Sequence, residues 1–178
     1  NPRETKTFTV RVRIPNRQTS ALYTNRPEVG GCLSFAVNGD ALTPAIDRGY
    51  AAVTREWKAG DRITLELPLV PQRIAADPRI EADRGRVALR YGPLVYNVER
   101  ADQADLTQPV GAGAIRAVWR GDLLGGVMAL EGAWADGRPL RAIPNFARMN
   151  RAGAAHAGPG PRPRPGGPES LVWMTGQP

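Results

Sequence analysis

RVALRYGPLVYNVE, residues 86–99, holds two short apolar runs, Val87-Ala88-Leu89 and Leu94-Val95-Tyr96, on either side of Gly92-Pro93. Runs of this length, rich in β-branched and aromatic residues, read as strands, and the Gly-Pro pair interrupts them. An interruption of this kind lets one long strand bend across from one sheet of a sandwich to its partner. Similar patterns extend in both directions. Phe8, Val10, Val12 and Ile14 alternate with Thr9, Arg11 and Arg13 before Pro15, which predicts a half-buried strand with the apolar set facing inward. Residues 33–37 alternate again and end in Asn38-Gly39, a pair suited to the positive φ angles of a tight hairpin turn.

Residues 50–57 and 62–67 are expected to form a second hairpin around 58–61, closed by Pro68 and Pro71. Residues 16–31 read as a long loop, and 72–83 as a connector with a short strand near 73–75. Shorter strands are predicted at 115–120, 127–131, 138–143 and 171–174. A period of 3.6 is nowhere sustained for three turns, so the fold class is all-β, an antiparallel β-sandwich. Two small units are expected, residues 1–72 and 73–178, the second carrying a Gly/Pro/Arg-rich insertion at 151–167 read as disordered.

The totals exclude several function classes. The formal charge is +7, but Lys stands only at positions 6 and 58, and the arginines are spread along the chain among acids. Binding to nucleic acid needs that charge gathered on one face, so none is expected. No run approaches the roughly 20 apolar residues of a membrane helix, so no membrane partner is expected. The opening residues lack Met and a signal-peptide pattern and enter a strand almost at once, which reads as a piece of a longer chain. One cysteine (Cys32) and one histidine (His156) rule out an internal disulfide and leave too few ligands for an ordinary zinc site. His156 sits in AGAAHAGPGPRPRPGG, a poor frame for a catalytic imidazole. Cys32 is expected to be a small, partly buried hydrophobe. Cysteine usage leaves the compartment open.

Glycoside hydrolysis would need two convergent carboxylates. Glu99 and Asp102 follow a strand and form the pair worth weighing, but solvated loop carboxylates are the simpler reading. The tryptophans at 57, 119, 134 and 173 raise sugar stacking instead. Trp119 and Trp173 lie inside apolar strand patterns, so Trp57 and Trp134 stand as the candidate substrate-binding residues. Gly111-Ala112-Gly113 and Gly125-Gly126 lack the following helix of a phosphate cradle.

RVRIP, AVNG, GYAAVTREWKAGDRITLELPL, RGRVALRYGPLVYNVE, AIPNFARMNR and SLVWM occur in this order. Together they resemble the C-terminal region of glycoside hydrolase family 127, the β-L-arabinofuranosidases and relatives. The resemblance implies an (α/α)6 catalytic barrel ahead of β-sandwich domains, with a cysteine nucleophile beside a zinc held by cysteines and a glutamate. None of those motifs falls in this chain, so no catalytic, cofactor-binding or metal residue is assigned to it, and zinc belongs to the barrel. It also implies that RVRIP follows earlier strands, which makes the first sandwich unit incomplete. The role it implies is a non-catalytic sandwich region supporting the barrel of the same polypeptide, with homodimer formation as a second contact. The alternative is a carbohydrate-binding module holding plant-type glycans on exposed tryptophans.

Overall fold

The computed structural model describes residues 1–15, 20–151 and 168–177. The chain is all-β and antiparallel, as its alternation predicts, and it divides into two compact units. Unit 1 comprises Asn1–Thr19 and Val29–Pro68; unit 2 comprises Ser20–Glu28 and Leu69–Pro178.

Unit 1 is a small sandwich of two three-stranded sheets. Strands β1 (Lys6–Arg13), β5 (Ala45–Asp47) and β6 (Tyr50–Trp57) form one, in the order β1-β6-β5. Strands β3 (Ser34–Val37), β4 (Asp40–Ala41) and β7 (Ile63–Glu66) form the other, in the order β4-β3-β7. Ile14, Phe35, Val37, Ala51, Val53 and Trp57 are buried between them. The Asn38-Gly39 turn joins β3 to β4 with φ of +54° and +91°, the conformation a two-residue hairpin of that type requires.

The hairpin expected from 50–57 and 62–67 does not form. β6 pairs with β1 and β5, whereas β7 pairs with β3 in the facing sheet. Residues 58–61 therefore cross between sheets. Asp61 holds that crossing, accepting from the Lys58 amide at 2.9 Å and from the Asn38 amide side chain at 2.9 Å. The actual hairpin partner of β6 is β5, joined through Arg48-Gly49 with φ of +48° and +81°.

In unit 2 the hydrogen-bonded path runs β11-β12-β13-β10-β9-β8-β2. Its strands are β2 (Tyr23–Arg26), β8 (Pro71–Ala76), β9 (Arg86–Tyr91), β10 (Leu94–Glu99), β11 (Arg116–Arg120), β12 (Val127–Ala133) and β13 (Pro139–Pro144). Two short strands, β14 (Ser170–Leu171) and β15 (Met174–Thr175), pair with β10 and β9.

Gly92-Pro93 is a hairpin turn, not a bend within one strand: Tyr91 pairs with Leu94 and Arg90 with Val95. Gly92 takes φ +58° at the first central position, where glycine avoids a Cβ clash. The passage between sheets occurs four residues later. β10 leaves β9 after Val95 and pairs through Tyr96, Asn97 and Val98 with β13. β14 and β15 enter the opening between the splayed strands, Leu171 on Val98 and Met174 on Val87. Val87, Leu89, Tyr96, Val98, Leu130, Leu140 and Met174 then share one core, each such burial contributing about 1.5–3 kcal/mol.

One reading of the chain is corrected here: the loop expected over 16–31 contains β2, which pairs with β8. The short strand expected near 73–75 is present as β8, an interior strand between β2 and β9. β8 breaks alternation because its buried polar residue is satisfied by neighbouring strands and loops. Buried Gln72 donates to the Pro27 carbonyl at 2.7 Å and accepts from Arg90 at 2.9 Å. The insertion read over 151–167 lies outside the described residues except for Arg151, which is held in place and not disordered.

Tyr96 is fully buried and donates to the Met128 carbonyl at 2.9 Å. Burial pushes its phenol up to about 12. The folded state therefore keeps a proton that the unfolded chain releases near pH 10. This stability is fully present below pH 10 and is lost as pH rises towards 12, a fall of about 2–3 kcal/mol. Urea midpoints measured between pH 9 and 12 should show that fall, and Tyr96→Phe should flatten it at a neutral-pH cost of about 1 kcal/mol.

Candidate functional site

The two carboxylates that the sequence singles out do converge. Glu99 ends β10, and the Asp102 amide donates back to the Glu99 carbonyl at 3.1 Å, so both side chains leave one tight turn. What fills the space between them is Arg151. Its Nη2 lies 2.9 Å from Glu99 Oε2 and 2.5 Å from Asp102 Oδ2, and its Nη1 2.8 Å from Asp102 Oδ1. The Met149 amide donates to the second Glu99 oxygen at 2.6 Å. Glu99 and Asp102 are 3% and 5% exposed at the side chain.

The pairing runs on across the sheet. Arg141 reaches Asp102 at 3.4 Å and Glu131 at 3.1 Å, and Arg120 joins Glu131 at 3.3 Å to Asp122 at 3.0 Å. Donation of its hydrogen bonds to Asp102 raises the Arg151 pKa, more than burial lowers it. Gln103 closes the polar ring, donating to the Arg141 carbonyl at 2.9 Å and accepting from the Arg141 amide at 3.0 Å.

This is not hydrolytic geometry. A glycosidase keeps open space between its two carboxyl groups for a sugar bond, and one of them must carry a proton. Here a guanidinium occupies that space and binds both groups. The expectation of solvated loop carboxylates is also corrected, since both are buried and ion-paired.

The arrangement fastens chain segments. Arg151 lies at one end of the stretch 152–167. At the other end, Arg100 donates through its side chain to the Pro168 carbonyl at 2.9 Å and through its amide to Glu169 at 3.0 Å. Arg148 donates to Ser170. Residues on both sides of that stretch are thus tied to the end of β10. His156 lies outside the described residues.

The tryptophans distribute differently from the sequence reading. Trp57 is 4% exposed; its Nε1 donates to the Phe8 carbonyl at 3.0 Å, and the Arg55 guanidinium stands 5.2 Å over its ring. Trp134 is 2% exposed in the core of unit 2. Neither presents an indole face to a sugar, which removes both candidates. The exposed indole is Trp119, at 63%, read from its strand pattern as packed. It is seated beside Gly126, where a Cβ would come within 2.5 Å of its ring. The apolar alternation of β11 gave no sign of this, because β11 is the outer strand and, among the described residues, has no strand beyond it to cover the ring. Trp173 stacks on Tyr23, with ring centroids 6.0 Å apart.

Cys32 is partly buried and donates to the Ser34 carbonyl at 2.7 Å. It lines a groove of about 620 Å³ in unit 1 with Ile14, Leu33, Phe35, Leu42 and Ile46. No three His, Cys, Asp or Glu side chains among the described residues are placed to hold a metal ion. The single cysteine and single histidine do not fit a zinc site of the kind the resemblance places in the barrel.

Comparison with known proteins supplies what the charged cluster does not. Residues 1–69 match the family model described as the β-L-arabinofuranosidase GH127 middle domain, and residues 71–157 match the glycoside hydrolase family 127 C-terminal domain. The chain belongs to glycoside hydrolase family 127. Within this family the chain is similar to the non-reducing end β-L-arabinofuranosidase of Bifidobacterium longum subsp. longum, 31% identical over 109 residues. That match covers 57% of this chain and 16% of the relative.

Two solved structures share the fold over almost all of it. A GH127 β-L-arabinofuranosidase from Geobacillus stearothermophilus T6 superposes with a TM-score of 0.74 at 28% identity, over 99% of this chain and 27% of that one. A GH127 β-arabinofuranosidase superposes with a TM-score of 0.76 at 24% identity, over 98% and 28%. The family 127 chain thus spans between a quarter and a third of the solved relatives' length.

Proposed function

We propose that this chain is the non-catalytic β-sandwich region of a β-L-arabinofuranosidase-like glycoside hydrolase, supporting an (α/α)6 catalytic barrel in the same polypeptide. The observation that carries the reading is the pair of matches, middle domain then C-terminal domain, together with the 27–28% share of the solved relatives that the chain covers. Chemistry agrees with it. The convergent acid pair is neutralised by Arg151, and the ligand set for zinc does not fit here. Apolar side chains suited to contact with another domain stand exposed in each unit, Leu33 in the first and Phe146 in the second. The glycan-binding alternative loses its two named candidates with the burial of Trp57 and Trp134, which leaves it the exposed Trp119 alone.

The test is hydrolysis of a chromogenic β-L-arabinofuranoside by the purified 178-residue chain and by the product of the reading frame extended upstream of Asn1. The chain alone should release no chromophore above the blank, and the extended product should. Turnover by the chain alone, blocked by Glu99→Gln, would overturn the reading. Sedimentation of both samples reads the homodimer contact.

A further inference from the structure

The Asn38 side chain fastens the β3–β4 turn to a segment more than twenty residues away. Its backbone amide donates to the Arg62 carbonyl at 2.9 Å, and the Arg62 amide donates to Asn38 Oδ1 at 2.8 Å. The side-chain carbonyl thus continues the β3–β7 ladder one step past the Val37–Ile63 pair, where the backbone has already turned away. The other half of the same amide, Nδ2, donates to Asp61 Oδ1 at 2.9 Å. The second Asp61 oxygen accepts from the Lys58 amide at 2.9 Å. These two bonds, that from Lys58 first, hold the Asp61 carboxyl below its ordinary range, so it stands as a carboxylate at neutral pH.

An asparagine followed by glycine carries a reaction of its own. The Gly39 nitrogen can attack the Asn38 side-chain carbonyl carbon, because glycine has no Cβ to hinder the approach. An N–Cγ bond forms, the Cγ–Nδ2 bond breaks, and Nδ2 leaves as ammonia with the proton of the Gly39 amide. Water then opens the cyclic imide at either carbonyl and leaves aspartate or isoaspartate, with nothing oxidised or reduced. Asn38-Gly39 is the one Asn-Gly pair in the sequence. Both residues are exposed, and a Cβ built on Gly39 would meet nothing within 4 Å, so neither water nor space limits the reaction.

The two bonds on the amide oppose it. Ring closure turns Cγ towards the Gly39 nitrogen and detaches Oδ1 from Arg62 and Nδ2 from Asp61. A hydrogen bond to a charged acceptor is the stronger kind, so Asp61 contributes most to the barrier. The products do not fit the same place. Aspartate has no N–H for Asp61 and sets a second carboxylate against it, while isoaspartate also lengthens the main chain of the turn by a carbon. Either one loosens residues 58–61, which cross between the two sheets of unit 1.

We infer that Asn38 is a latent deamidation site, latched by Asp61 and Arg62, whose reaction unfastens the crossing between the sheets of unit 1. The inference uses contacts within that unit alone and stands apart from the arabinofuranosidase reading.

The test is peptide mapping by mass spectrometry of the full 178-residue chain aged at mildly alkaline pH, which counts aspartate and isoaspartate at position 38. The native chain should form them at least ~10-fold more slowly than the same chain unfolded in urea. Asp61→Asn keeps one oxygen for the Lys58 amide and turns an NH2 towards Asn38, so it should speed the native reaction by roughly 10-fold. Near-UV circular dichroism reports whether that variant keeps its fold; where it does not, Asp61→Ser, with a short acceptor for Lys58, repeats the comparison. Asn38→Asp, which copies one product, should lower the urea midpoint, its unfolding constant rising by roughly 10-fold. Equal rates in native and urea-unfolded chains overturn the inference, as does a folded Asp61 variant that reacts no faster than the native chain. So does an unchanged midpoint for Asn38→Asp, which would show that the crossing holds without the amide.

Discussion

Arg151→Met should lower the stability of unit 2 by about 3–5 kcal/mol, because it leaves two buried carboxylates without the cation between them. The side chain of Arg151 is 14% exposed and its partners are less so, which places the cluster among buried and not surface ion pairs. Asp102 would keep its longer contact to Arg141, at 3.4 Å, while Glu99 would keep only the Met149 amide. Urea unfolding at neutral pH is the measurement, and a thermal midpoint roughly 10 °C lower is the matching observation. The triple variant Arg151→Met, Glu99→Gln, Asp102→Asn should recover most of the loss, since it removes the charges together with their partner. Arg141→Met should cost far less, about 1 kcal/mol, because Arg141 and Glu131 are partly solvated. A change under ~1 kcal/mol for Arg151→Met would show that the carboxylates reach water and do not depend on this guanidinium.

Trp134→Ala should destabilise unit 2 by a similar amount, about 3–5 kcal/mol, through the cavity left by a buried indole. Trp134 bridges to Val110, its amide donates to the Arg138 carbonyl at 2.9 Å, and the backbone carbonyls around it approach Gly111 closely enough that a Cβ there would meet them at 2.7 and 2.9 Å. Its indole Nε1 is buried with no hydrogen-bond partner among the described residues. Trp134→Phe should therefore lose less than half as much, since the smaller ring also removes an unsatisfied donor. Urea midpoints for both variants settle the order. Titration with arabinan oligosaccharides separates structure from binding: a sugar-stacking Trp134 would lose affinity at unchanged stability, the reverse of the outcome expected here.

Strand existence was legible wherever one face meets the core and the other meets water. Phe8 to Ile14 alternate because β1 has one covered face, and Asn38-Gly39 marks its turn because few residue pairs accept two positive φ angles. Strands with both faces covered were harder to read. Gln72 in β8 is polar yet buried, and its acceptability depends on Pro27 and Arg90, 45 and 18 residues away. Pairing was less legible still. Residues 50–57 and 62–67 look like hairpin arms, but the turn between them suits a crossing to the facing sheet equally well. The candidate site divides in the same way. Local spacing brought Glu99 and Asp102 forward, but nothing local signals that Arg151, about fifty positions on, lies between them.

The amino-acid sequence by itself determined the all-β class, most of the strands and membership of family 127. These follow from short-range periodicity, turn chemistry, residue counts and the order of motifs, all of which can be read along one dimension. Tertiary structure alone decided which strands share a sheet, that Gly92-Pro93 turns a hairpin while β10 makes the crossing, that Trp57 and Trp134 are buried while Trp119 is not, and that the acid pair is clamped. Each of these depends on a partner distant in sequence, whose free energy of contact outweighs the local preference of the segment it meets.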